Sequence, residues 1–203
     1  MGVNVISKYS SADKSELDSS ILTTDTNLKN TFYSCLELIE ESAPEFMLDI
    51  KCHTNTIVPI KNPSVKAFSI DALIGAIYVT PEEDIIDTID LVVHENGHNK
   101  LDKLNEIYPL LKPDEKLYPS PWRKDLRPME GIIHGAYVHL RLNYLLSSIQ
   151  ERYPEYENRI SGRIKYYKNQ VISAIETIEK HADLTSYGKE FIHSLRIWSD
   201  KGP

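Results

Sequence analysis

The stretch from Thr80 to Leu104, TPEEDIIDTIDLVVHENGHNKLDKL, constrains this chain more than any other. Thr80 can cap a helix, Pro81 suits its first position, and Glu83 falls at the capping-box position. Ile85, Ile86, Ile89, Val92 and Val93 then recur at helical spacings. So apolar a helix must bury one face in a core. The sequence therefore predicts a long helix from Thr80 toward Leu104, and it carries HENGH, residues 94–98, into that core.

On such a helix, positions four apart lie one above the other, so His94 and His98 can reach one ion from a single rigid element. Glu95 is displaced by about 100°. It suits contact with a metal-bound water, or with a ligand, better than it suits direct ligation. Gly97 costs the helix roughly 1 kcal/mol and is expected to leave room beside the site. Two imidazoles hold a metal poorly, and a third ligand usually comes from another element. His134, in EGIIHGAYVHLRLNYLL, is the candidate. Its helical face also carries Glu130, Tyr137 or Val138, and Arg141, polar groups that would be costly there without partners. Asp102 is a weaker alternative ligand. His139 lies about 140° round from His134 and is expected to face solvent. His53, His181 and His193 stand in less informative surroundings. The bland alternative for His134 is a hydrogen-bonded core histidine.

Elsewhere, a polar arm is expected over 1–25 and a single helical metalloenzyme domain over 26–203. An amphipathic helix over 27–42 carries Leu28, Phe32, Cys35, Leu36 and Ile39, and Pro44 stops its simple continuation. Two or three short strands are expected between Ile57 and Val79, where β-branched and aromatic residues gather. Residues 107–128 hold five of the eleven prolines and read as an extended loop. Helices follow over 129–150, 155–181 and 185–198. The fold class is thus mainly α with a small β element (α+β), a zincin-like metal helix packed against further helices. That likeness is one of analogy.

A net charge of -7 and the lack of a basic block argue against nucleic acid and against a polyanionic membrane surface. No run approaches the length of a membrane span, and the start lacks a signal peptide's apolar core. Two cysteines make no disulfide framework. The expectation is a cytoplasmic protein.

The run VVHENGHNKL, followed by SPWRKDLRPMEGIIHGAYVHLRL and preceded by SIDALIGAIYVT, resembles a bacterial family of HExxH-motif proteins. These occur with ribosomally made, post-translationally modified peptides. The resemblance covers roughly residues 67–145 and touches His94, Glu95, His98, Arg123, Arg127, Pro128, Gly131, His134 and Gly135. It implies an iron(II)- and 2-oxoglutarate-dependent oxygenase that hydroxylates a side chain, at the β-carbon, of a precursor peptide. Its metal ligands would be His94, His98 and His134. The cosubstrate's far carboxylate would need an arginine fork. Arg123, Arg127 and Arg141 are the candidates, with Tyr137 beside them. Arg141 is two turns, about 10 Å, along the helix from His134. The bland alternative has Arg123 and Arg127 pairing with Asp125 and Glu130. The chain is short, so leader recognition would fall to the same domain, a partner protein or a homodimer.

The motif alone supports a second reading, a zinc metallopeptidase with Glu95 as general base. A third is a non-enzymatic peptide-binding protein with a structural or vestigial metal.

Overall fold

The computed structural model describes residues 26–61, 65–70, 73 and 75–201, without the side chains of 26–29. The expected arm over 1–25 and the side chain of Leu28 lie outside the described residues. The described chain is mainly helical with small sheets. Among the described residues, no helix is long and apolar enough to cross a membrane.

Helix α1 (Thr26–Ser42) buries Phe32, Cys35, Leu38 and Ile39, a stripe at helical spacing. Pro44 does end it, but by starting a second helix, α2 (Pro44–His53), which the periodicity did not announce. Proline at a first helical position lacks only an N–H that would have had no partner there. Three short strands follow: β1 (Thr56–Pro59), β2 (Ala67–Ser69) and β3 (Ala76–Val79). β3 is central, parallel to β1 and antiparallel to β2, so β2 is an edge. Phe68 and Tyr78 stack across the β2–β3 pair with centroids 4.6 Å apart.

The motif helix, α3, spans Ile85–Ile107. It starts later than the capping pattern predicts. Its cap is Asp84, whose Oδ1 accepts from the Ile86 N–H at 3.0 Å. Thr80 is drawn instead into the sheet, where its N–H donates to the Lys66 carbonyl and its hydroxyl to that of Val65. Tertiary hydrogen bonds thus outbid a local cap worth about 1 kcal/mol.

The stretch expected to be extended loop contains a hairpin of β4 (Leu117–Ser120) and β5 (Arg123–Pro128), antiparallel and irregular between Tyr118 and Ser120. Proline is tolerated in such isolated edge pairs, because each strand needs partners on one side only. Helices α4 (Met129–Arg152), α5 (Glu157–His181, entered by a 3₁₀ turn at Pro154–Tyr156) and α6 (Ser186–Lys201) complete the fold close to their expected bounds.

The core gathers α1 to α5 around α4, with Ile86, Ile89, Val93, Ile132, Leu142, Leu145 and Ile149 all shielded from solvent. Gly97 contributes here and not in the cleft. A Cβ built on it would lie 2.9 Å from Val138 Cγ2, so its bare Cα lets α3 and α4 approach closely. α6 docks through Gly188, whose added Cβ would meet the Leu110 carbonyl oxygen at 2.0 Å. Gly188→Ala should therefore cost about 2 kcal/mol by forcing backbone apart, despite a gain of up to about 1 kcal/mol in helix propensity. A lowered urea midpoint with unchanged m-value would register it.

Candidate functional site

α3 and α4 face each other along their histidines. His98 on α3 meets His134 on α4, with Nδ1 to Nδ1 at 2.9 Å. His94 and His98 approach each other through their Nε2 atoms at 3.1 Å. Two nitrogens that share one ion at about 2.0–2.1 Å in tetrahedral geometry sit roughly 3.3 Å apart. The His94–His98 pair is therefore spaced to share an ion. His134 approaches the far nitrogen of His98, and its own Nε2 lies 3.4 Å from Asp102 Oδ1. Among the described residues, no group of three or more His, Cys, Asp or Glu side chains is arranged to hold a metal.

His139 also belongs here, contrary to the expectation that it faces solvent. Its ring lies edge-on to His94 with centroids 5.6 Å apart. It stacks on Trp122 at 4.7 Å and meets Tyr167 at 5.0 Å. The turn of 140° from His134 leads not to water but to the hairpin and α5. Gly135 makes this possible, since a Cβ there would strike the Trp122 ring at 2.6 Å.

These side chains line an open cleft of about 690 Å³. One wall is Ala67 to Ser69 on β2, the opposite wall is the β4–β5 hairpin with Trp122, Arg123 and Arg127, and the floor is α3 and α4. Glu95 is only 7% exposed and projects toward β2, where the Ser69 hydroxyl donates to its Oε2 at 2.9 Å. Burial raises the Glu95 carboxyl to about 7, against the hydroxyl and backbone hydrogen bonds from Ser69. Burial pushes His94 down to about 3, helped by the neighbouring imidazoles, and His134 down to about 4. Burial lowers His139 as well, partly offset by its bond to the Gly135 carbonyl. Near neutrality these three rings carry no charge, so each has one nitrogen lone pair to offer.

Of the proposed arginines, two are at the cleft and one is not. Arg123 and Arg127 line it, and Arg127 Nε lies 3.0 Å from Asp125 Oδ2. Arg141 lies elsewhere. It is 4% exposed, and its Nη2 donates to Asp49 Oδ2 at 2.6 Å and to Asn96 Oδ1 at 2.8 Å. Asn96 is about 200° round α3 from His94, so this guanidinium lies on the opposite side of the helix from the histidines. Tyr137 goes with it: its phenol accepts from Arg141 Nη1 at 3.3 Å and its ring packs against Phe191. The seven-residue spacing was sound as geometry, but the face it selects is the one turned toward α2.

Sequence reasoning missed Ser69 and Trp122 as cleft residues. Ser69 is brought in from 26 positions away by β2, and no local pattern marks it. No known protein-family model matches this chain, and no curated protein matches it either.

The Asp49–Arg141 pair is a stability element with a defined pH response. Burial drives the Asp49 carboxyl up, but the Arg141 charge and hydrogen bonds from Lys100 and Arg141 outweigh it and hold it below its ordinary 3.8. A depressed folded value means the contribution is fully present above the unfolded value and is lost as pH falls through the folded one. Asp49→Ala should cost about 3 kcal/mol at pH 7 by leaving Arg141 buried without its counter-charge. In acid titrations followed by circular dichroism below about pH 4, the wild-type advantage over Asp49→Ala should shrink steadily.

Proposed function

We propose that this chain is a metal-dependent enzyme acting on a peptide, an iron(II)/2-oxoglutarate oxygenase that hydroxylates a side chain of a ribosomally made precursor. The observation that carries the reading is the His94–His98 nitrogen pair, 3.1 Å apart on the floor of a cleft large enough for a peptide side chain and a small diacid. The donor set fits a borderline metal ion: neutral imidazoles on rigid helices, with a further imidazole within reach on α4. Iron(II) at this pair would supply oxygen activation against an unactivated C–H bond, with 2-oxoglutarate as the co-reductant.

The chain's own residues have separable tasks. His94 and His98 would hold the ion, with His134 as the candidate third imidazole. Arg123 and Arg127 present guanidinium forks on the hairpin wall, where the far carboxylate of a diacid can be clamped. Glu95 sits beside the pair with its carboxyl held by Ser69 and able to exchange a proton near neutral pH. The zincin-like part of the reading is an analogy drawn from the motif helix.

A second reading has one observation in its favour. Glu95 is buried, shifted toward neutrality and adjacent to the metal pair, as a hydrolytic general base would be. The second candidate is therefore a zinc peptidase.

Mass spectrometry of a co-expressed precursor peptide decides between them. The oxygenase adds one oxygen atom only when iron(II), 2-oxoglutarate and air are all supplied, whereas a peptidase yields fragments with zinc and without air. Arg127→Ala and Arg123→Ala should each raise the 2-oxoglutarate requirement by about tenfold or more, the worth of a charged hydrogen bond, while Arg141→Lys should leave it unchanged. Glu95→Gln should abolish cleavage under the second reading but leave residual hydroxylation under the first.

A further inference from the structure

A second cavity, which shares no lining residue with the cleft, opens where α2, α4, α5 and α6 meet. Its volume is about 400 Å³, a size typical of ligand pockets. Leu140 and Val171, both buried, line it. So does a ladder of three rings from three helices. Phe46 on α2 stacks on Tyr144 of α4 with centroids 5.6 Å apart, and Tyr144 stacks on Trp198 of α6 at 6.4 Å. The inner end of the ladder is fixed, because Phe46 is buried and the Arg141 guanidinium lies over its ring. The outer end is bare, with Trp198 55% exposed. Rings held in place in this way lose little freedom when a ligand covers them. Tryptophan and tyrosine are also among the side chains that most often carry binding energy at protein surfaces.

The rim is charged, and the sign of its charge is informative. Lys168 on α5 and Lys201 on α6 line the cavity, and both are exposed. Among the described residues, neither has an ion-pair partner. The carboxylate at the rim, Glu45, already accepts a hydrogen bond from the Tyr144 hydroxyl. In a chain of net charge -7, two uncommitted ammonium groups over an apolar cavity select one kind of occupant. It is apolar where it meets the rings and anionic where it meets the rim.

We infer that this cavity docks an acidic segment of the substrate peptide, with an apolar side chain against the Tyr144 and Trp198 rings and carboxylates at Lys168 and Lys201. This rests on the reading of the cleft as a peptide-modifying site, and it names the chemistry by which the peptide is held. An enzyme of that kind gains from gripping its substrate away from the reacting residue. The spacing allows one chain to reach both places. His134 and Tyr144 are ten residues apart on α4, about 15 Å along its axis, which an extended peptide covers in about five residues.

Trp122 in the cleft and Trp198 at the cavity are the chain's two tryptophans. Labelling the full chain with 5-fluorotryptophan therefore gives one ¹⁹F resonance for each site, assigned with Trp122→Phe. The probes are the capped peptides Glu-Glu-Leu-Phe-Glu-Glu and Lys-Lys-Leu-Phe-Lys-Lys, and free dodecanoate, without metal or cosubstrate. The acidic peptide should shift the Trp198 resonance with a Kd below about 1 mM and leave that of Trp122 in place. The basic peptide should bind at least about tenfold more weakly. Lys168→Glu and Lys201→Glu should each weaken the acidic peptide by about tenfold, the scale of one charged contact, and narrow its lead over the basic one. Both lysines are exposed, so neither reversal disturbs the core. Equal or tighter binding of the basic peptide overturns the inference, as does an acidic peptide that leaves Trp198 unmoved or moves Trp122 alone. If dodecanoate moves Trp198 and the acidic peptide does not, the cavity belongs to a free amphiphile and the inference is likewise overturned. No turnover is read, so failure here leaves the cleft reading standing. Conversely, a precursor that is neither hydroxylated nor cleaved refutes the cleft reading and leaves the Trp198 response as measured.

Discussion

The close antiparallel contact of α3 with α4 at Gly97 and Val138 underlies everything at the cleft. Both helices are long and have apolar faces, so burial drives them together. Only a glycine at the crossing lets the backbones approach far enough for short imidazole side chains to touch. A larger residue at 97 would separate the rungs on which His94, His98, His134 and His139 meet. The helix gives up roughly 1 kcal/mol of propensity for this glycine, a small loss beside the alignment of four rings it permits.

α3 is polarised by what lies on its two sides. Toward α2 it presents Asn96 and Lys100, which join Asp49 and Arg141 in a partly buried charge network. The guanidinium also lies over the Phe46 ring, 4.9 Å from its centroid. Toward the hairpin and β2 it presents the histidines and Glu95. A buried ion pair of this kind gains little net stability over an apolar replacement, but its geometry is strict. Here it clamps the rotation of α3 relative to α2 and α4, and that rotation decides which way the histidines point.

Behind the cleft, a second polar cluster ties α3 to α5. Tyr167 donates to Asp90 Oδ2 at 2.6 Å, and Arg163 Nη1 donates to the same oxygen at 2.9 Å while also pairing with Asp87. Burial raises the Asp90 carboxyl, and the Tyr167 and Arg163 bonds only partly counter it. Tyr167 in turn backs the ring of His139. The wall of the cleft is thus held from two directions by charged groups that never enter it.

Much of this was legible in the residues alone. Helical periodicity located α1, α3, α4, α5 and α6, because amphipathic faces must be buried wherever they pack. The spacing of His94 and His98 required that they share a helix face, since that is a property of 3.6 residues per turn. The cap of α3, the hairpin over 117–128 and α2 were not legible, since each is settled by hydrogen bonds or packing to residues distant in the chain. Which face of α4 meets which face of α3 was likewise beyond local spacing: Arg141 and His134 share a stripe on paper, yet α3 lies between their partners. Intrahelical geometry is fixed by covalent and backbone constraints that every sequence carries with it. The approach of Ser69, Trp122 and His139 to the motif depends on how whole elements pack against each other, and only the folded chain brings those contacts about.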